Sequence, residues 1–191
     1  MADIWSDIDA GTPFNLVDCQ IALRSGEGTH GTAEDVPSIT SVAVTPDVVS
    51  AMLEGDGQIT SSSSFAQRAT GTMTFGGISI DMWAIITGTT KLSGGTTPNQ
   101  YEALAIVSAG TCFPYFGVIG KATTDNCTGD VQVWMSKVKI ESIGEVSLGK
   151  GTYVQATINF SALADGTTYP AVQWITHETA VSVTIPPTYI A

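Results

Sequence analysis

Alternation of apolar and polar residues dominates the chain. Its clearest run is Thr152–Ala162, where Val154, Ala156, Ile158, Phe160 and Ala162 point one way. Tyr153, Gln155, Thr157, Asn159 and Ser161 point the other, as the two-residue period of a half-buried strand requires. A second alternating run lies inside Asp47–Gly88. Here Ala69, Gly71, Met73 and Phe75 oppose Arg68, Thr70, Thr72 and Thr74. The pattern predicts strands over Val48–Glu54 and Gln58–Phe75, joined at Gly55-Asp56-Gly57, where glycine supplies the positive φ of a tight turn. The second strand is long, so a bend or bulge is expected in the serine run Ser61–Ser64.

After Gly76-Gly77 the period changes to about 3.6, which predicts a short helix with Ile78, Met82, Ile85 and Ile86 as its packing stripe. Ser79 suits the N-cap, Asp81 the first turn and Gly88 a left-handed C-cap. Trp83 can reach Ile78 as a hydrophobic staple.

The remaining pattern predicts strands at Cys19–Arg24, Ile39–Thr45, Phe113–Ala122 and Val131–Ile140, then Ala171–Thr176 and Ala180–Ile185. Pro46 marks the exit of the second of these, and Pro186-Pro187 closes the last. Glu102–Val107 suits helix or strand, and the Gly110 boundary favours strand. Ser25–Pro37, Thr89–Gln100 and Glu141–Gly151 read as loops. Many strands, two long hairpins and one flanking helix make a mainly β fold, a β-sandwich or half-open barrel. Residues 1–17 read as an acidic arm that frays or docks on a neighbour through its aromatics, and 18–191 as one domain.

Composition adds two constraints. Hydrophobic residues are 43% of the 191 and charged residues only 13%, about half the usual share, so much of the outside is expected to be covered by something. The net charge is −11, and Arg24 is the only base before residue 61. A nucleic-acid binder needs the opposite balance, because affinity comes from cations on phosphates. No secretory leader or membrane span is expected from the pattern. Cys19, Cys112 and Cys127 form no Cys-x-x-Cys pair and read as reduced, mostly buried thiols.

Candidate chemistry is sparse. Gly26-Glu27-Gly28-Thr29-His30-Gly31 matches a dinucleotide fingerprint formally, but no helix follows it and Glu27 would repel a pyrophosphate. His30 and His177 lack ligands at metal spacing, and no nucleophile elbow or phosphate loop is present. We therefore expect no catalysis and no cofactor. Two classes stay open: a structural subunit, or a non-catalytic binding module for carbohydrate or protein with Trp5, Trp83, Trp134 and Trp174 as stacking platforms.

The strand Val48–Glu54, the turn Gly55-Asp56-Gly57, Ala69–Gly77, the helix opening Ile80-Asp81, and the strands Val131–Ile140 and Tyr153–Ala164 together resemble the major tail tube protein of long-tailed, siphovirus-like bacteriophages. The resemblance covers about half of the chain. It implies hexameric rings that stack into a tube, with strands of both long hairpins forming an inner barrel. The implied partners are further copies of the chain, a tape-measure protein, tail terminator and baseplate or distal tail proteins. Double-stranded DNA would pass through without specific binding, and no membrane is involved. The implied location is the virion tail, with assembly in the host cytoplasm.

On this view Glu54, Asp56, Thr70, Thr72, Thr74, Gln155, Thr157, Asn159 and Ser161 are the expected lumen-facing residues. Trp5 and Phe14 on the arm, with Glu141, Glu145 and Lys150 on the loop, are the expected contacts between subunits. Arg68, Lys137 and Lys139 break the polar, non-cationic pattern. Facing a lumen they need neutralising neighbours such as Glu54 or Glu141; without these they belong to an interface.

Overall fold

The computed structural model describes residues 12–55, 58–106, 110, 112–125, 128–146 and 149–187, with backbone alone at 53–55, 58–60, 65 and 67. The strands are β1 (Pro13–Gly26), β2 (Thr29–Asp35), β3 (Ile39–Gly55), β4 (Gln58–Gly76), β5 (Leu92–Gly94), β6 (Tyr101–Ala103), β7 (Phe116–Thr124), β8 (Asp130–Ile143), β9 (Gln155–Leu163) and β10 (Gln173–His177), with helix α1 (Ile80–Thr87) after β4. One antiparallel sheet runs in the order β2-β1-β7-β8-β9-β4-β3, with β10 on the first half of β8. β5 and β6 form a small separate hairpin. The fold is mainly β, as the alternation implied, and the sheet curls without closing.

The concave face holds the main core. Met73 and Phe75 from β4, Ile158, Phe160 and Ala162 from β9, and Met135 and Val138 from β8 are buried there. Cys19 and Ile21 from β1 join them, with the Cys19 Sγ 3.9 Å from the Met73 Sδ. Burial pushes that thiol up to about 12, with Asp18 and Asp35 adding to the shift, so it stays a protonated packing group. Cys112 is exposed, against the expectation of buried thiols, and Cys127 lies outside the described residues. Gly71 is where two strands and a ring crowd together. A Cβ there would stand 2.5 Å from the Ala43 carbonyl and 2.6 Å from the Phe160 ring.

Helix α1 has the predicted caps. The Ser79 Oγ accepts from the Met82 N–H at 3.3 Å, and Gly88 takes φ 69° while donating to the Ala84 carbonyl. Met82, Trp83 and Ile86 are buried, Ile85 is half-buried, and Trp83 meets Phe75 at 5.9 Å between ring centroids. Ile78 departs from the expected stripe. It precedes the helix and is 56% exposed, so Trp83 turns to Phe75 instead.

Several boundaries moved, each for a physical reason. Strand β3 runs straight through Pro46, which pairs with Ala69, because β3 is the sheet edge and an edge tolerates a missing donor. The serine run is regular, from Ser64 opposite Ser50 to Ser61 opposite Leu53. The register shifts flank it, at Asp47/Val48 and Leu53/Glu54. The segment read as loop Ser25–Pro37 contains β2, which hydrogen-bonds to β1 despite a polar sequence. Strand β1 begins at Pro13, so Phe14 and Val17 are strand residues rather than arm. Strand β8 continues to Ile143 and β9 starts at Gln155, so both the Glu141 loop and the Thr152 strand begin later than read. Residues Ala180–Ile185 are not a strand, because side chains of β7 and β8 take their backbone groups. Val181 donates to Asp130 and accepts from Lys121 and Gln132.

The buried stripe of α1 sets a stability prediction. Ile86→Ala should cost about 2–5 kcal/mol, whereas Ile78→Ala should stay within about 0.5 kcal/mol. Urea unfolding of the two variants checks this, and equal costs would contradict the burial pattern.

Candidate functional site

The polar sides of β3, β4, β9 and β8 form one continuous face. Thr45, Thr70, Ser161 and Lys139 stand in register across four strands, and Ala43, Thr72, Asn159 and Ser142 form the next row. Ser41, Thr74 and Thr157 make a third row, and Gln155 stands opposite Gly76. The fold therefore brings Thr70, Thr72, Thr74, Gln155, Thr157, Asn159 and Ser161 onto one surface. It lies opposite the buried face because β4 and β9 alternate without a slip over Ala69–Gly76. Glu54 and Asp56 cannot be placed with them, since the side chain of one and the whole of the other lie outside the described residues.

Hydroxyl and amide groups tie this face together sideways. The Thr74 and Thr157 hydroxyls are 3.2 Å apart, and the Asn159 Nδ2 donates to the Ser142 Oγ at 2.7 Å. Arg68 lies at one margin, its Nε 3.2 Å from Asp47 and its Nη1 3.2 Å from Glu141. Its charge is thus answered within the chain, and Glu141 supplies half of the answer. The alternation Ser41-Val42-Ala43-Val44-Thr45 is the sequence signal that would have added β3 to this face.

Beyond that face the chain projects. Strand β4 pairs with β9 only from Ala69 onward, while its pairing with β3 runs on from Val48/Ala66 to Gly55/Gln58. The projecting part is a two-stranded ribbon about 25 Å long. Neither side is covered: Val48 is 56% exposed, its neighbour Val49 38%, and Met52 64%. Adjacent residues point to opposite faces, so both faces of the ribbon carry exposed apolar side chains. Of the expected contact residues, Phe14 is 83% exposed on β1, and Glu145 and Lys150 are exposed in the loop before β9. Trp5 lies outside the described residues. Trp83 and Trp134 are core residues, which leaves Trp174, 65% exposed, as the one described tryptophan open to a partner.

Two buried carboxylates lock the scaffold. Asp165 accepts both a 2.8 Å bond from the Arg24 Nε and a second from its Nη2, with the Gly28 N–H at 3.1 Å and the Ser136 hydroxyl at 3.0 Å. The Arg24 guanidinium foremost, against the cost of burial, brings the Asp165 carboxyl down to about 2. This pins the β1–β2 turn, the stretch with the formal GxGxxG pattern, to the end of β9. Asp130 is wholly buried. Burial pushes its carboxyl up, but the Val181 N–H, His177 at 2.6 Å and Lys121 at 3.3 Å outweigh this and hold it below the usual carboxylate range. His30 reaches the Ser136 carbonyl at 2.9 Å. Among the described residues no group of three or more His, Cys, Asp or Glu side chains could hold a metal ion, and no helix is long and apolar enough to cross a membrane.

No family model matches the chain, and no curated protein sequence matches it. The chain is similar to chains of three solved structures, from two particles. One is the cap of the anti-feeding prophage, its tube terminating cap, at 15% identity over 93% of this chain and 100% of that one, with a TM-score of 0.48. Another is the sheath–tube complex of the PVC extracellular contractile injection system in its extended state, at 13% identity over 87% and 93%, TM-score 0.44. The third is the anti-feeding prophage baseplate, at 9% identity over 86% and 97%, TM-score 0.43. These likenesses assign no role to any residue here.

The Asp165 cluster gives a pH prediction. A carboxylate whose folded value lies below its unfolded value of about 3.8 stabilises the fold above that value and loses the contribution as pH falls through about 2. The shift corresponds to about 2 kcal/mol. Wild-type stability should therefore drop between about pH 4 and pH 2, and Asp165→Asn should flatten that part of the profile. Denaturant melts across this range check it; identical slopes in both proteins would contradict the assignment.

Proposed function

We propose that this chain is a non-catalytic structural subunit that builds a tail tube by pairing with copies of itself. The observation that carries the proposal is the β3–β4 ribbon. A two-stranded hairpin with apolar side chains on both faces is not stable packing for an isolated molecule, because hairpins need a third strand or a covering layer. A neighbouring copy supplies that layer. Among the described residues both ends of the sheet order, β2 and β3, are open edges, which a soluble monomer normally blunts and a closed ring of copies removes.

The finer assignment rests on the sequence resemblance to long-tailed bacteriophage tubes. On it, six copies form a ring, rings stack, a tape-measure protein fills the lumen before infection, and terminator and baseplate proteins close the ends. The particle is a virion tail assembled in the host cytoplasm. The Thr, Ser and Asn face of β4 and β9 then suits a wall that conducts DNA without holding it, since those strands are polar there and Arg68, at one margin, is already paired. A second reading, a binding module, has Trp174 in its favour, exposed beside Pro13, Leu16, Val42 and Val133.

Electron microscopy of the purified protein separates the two: rings or tubes support the subunit, and dispersed monomers at high concentration support the binding module. The ribbon carries a further expectation. Met52→Asp with Val48→Asp should leave the free subunit folded and abolish assembly, measured by light scattering beside circular dichroism. The wall carries another. Thr157→Lys or Asn159→Lys should give tubes that assemble yet release DNA more slowly at low salt, because repeated cation–phosphate contacts act as a brake. Ejection rates unchanged across salt would remove these residues from the wall.

A further inference from the structure

Cations are scarce in this chain, with seven Lys and Arg against eighteen Asp and Glu. Most of the scarce ones are held by carboxylates: Arg24 by Asp165, Arg68 by Asp47 and Glu141, Lys91 by Asp81 and Glu102, and Lys121 by Asp130. Of the other three, Lys150 is exposed in the loop before β9, and Lys137 and Lys139 share an aromatic ring. Both ammonium groups stand 5.1 Å from the centroid of the Tyr115 ring, and neither touches a carboxylate among the described residues. Both side chains are half-buried, flanking a half-buried ring at the β8 margin of the polar face. In a protein of net charge −11, two neighbouring lysines facing one aromatic ring with no acid in contact form a vacancy for anionic groups.

The opposite vacancy lies toward the β2 edge of the sheet, on β1 and β2. Gln20 pairs with Asp35 across β1 and β2, so Asp18, two residues before Gln20, is the diagonal neighbour of Asp35 on the same face. Lys121 stands opposite Asp18 across β1 and β7, but its ammonium is held by Asp130 and the Val181 carbonyl. Neither Asp18 nor Asp35 has an ion-pair partner among the described residues. Burial raises the Asp18 carboxyl, and the Asp35 charge raises it further. Such a pair is stabilised by any cation brought to it. The spacings also match: lysines two apart on one strand sit about 6.8 Å apart, and diagonal cross-strand neighbours about 7–8 Å.

We propose that the Lys137–Tyr115–Lys139 cluster of one copy receives the Asp18–Asp35 pair of the next. The two patches are different surfaces of the same chain, so the contact is head-to-tail, and a head-to-tail contact whose rotation closes makes a ring. The inference deepens the subunit reading above and rests on it. It also gives Lys137 and Lys139 a place at an interface rather than bare on a DNA-conducting wall.

A charge-swap series on the full chain tests it. Lys137→Glu with Lys139→Glu should raise the concentration needed for assembly at least tenfold at about 0.1 M salt, where surface charges are still felt. Asp18→Asn with Asp35→Lys should do the same. The four changes in one chain should restore assembly to within about threefold of wild type, with circular dichroism and thermal melts confirming that every variant is folded. If wild type itself never assembles, the subunit reading falls and this inference with it. If wild type assembles and either single-patch variant does too, the inference alone falls. Failure of the combined chain to recover, while folded, also overturns the pairing. So does assembly that is unchanged by Lys137→Glu with Lys139→Glu when those changes abolish binding of a duplex DNA probe, which would make the lysines a nucleic-acid contact.

Discussion

Backbone hydrogen bonding is the constraint on which the rest of this structure depends. A strand inside a sheet has both sides satisfied, and a strand at an edge has one side open. Here β4 changes from the first condition to the second at Ala69, where β9 stops accompanying it. From that point to Gly55 and Gln58 the chain is held by one partner strand. Among the described residues the sheet proper also ends on unpaired edges, at β2 and β3. A curled sheet that does not close on itself, with a ribbon extending past β9, leaves unmet backbone at both ends of the sheet order and exposed apolar side chains on the ribbon. That geometry is what makes assembly the economical explanation of the chain.

Charge follows the same division. Inside the subunit, buried acids and bases are matched: Arg24 meets Asp165 and fixes the turn after β9 to β1, and Lys121 meets Asp130 across the β7–β8 hairpin. Such partly or fully buried pairs contribute through what their removal would leave behind, an uncompensated charge, rather than through net gain. Outside, in a chain with a surplus of acid, Lys137 and Lys139 have no acid in contact among the described residues. The buried pairs are closed electrostatically, and so are the exposed Arg68 and Lys91 clusters, whereas the Lys137–Tyr115–Lys139 patch is not.

Much of this was legible in the sequence, and the exceptions are instructive. Strand β9 could be read residue by residue because one face is buried and the other half-open, the condition that writes a two-residue period into a sequence. The α1 caps could be read because Ser79 and Gly88 act on groups three and four residues away. Strand β2, sequence THGTAED, could not, since its place depends on hydrogen bonds to β1 and not on apolar alternation. Pro46 looked like a terminator because nothing local reveals that β3 is an edge. Val181 looked like a strand residue because Asp130, 51 positions away, is what captures its N–H. At the candidate site the β4 and β9 faces were visible as alternation. The Arg68–Glu141 pair needed the sheet order, and the Lys137–Tyr115–Lys139 cluster needed the β7–β8 register.

The central claim is that the β3–β4 ribbon is completed by other copies of the chain. Amide hydrogen exchange over residues 47–68, compared between free subunit and assembled material, tests it most directly. The account predicts fast exchange along this ribbon in the free subunit and strong protection after assembly, while β8 and β9 are protected in both. Equal exchange of the ribbon in the two states would contradict it.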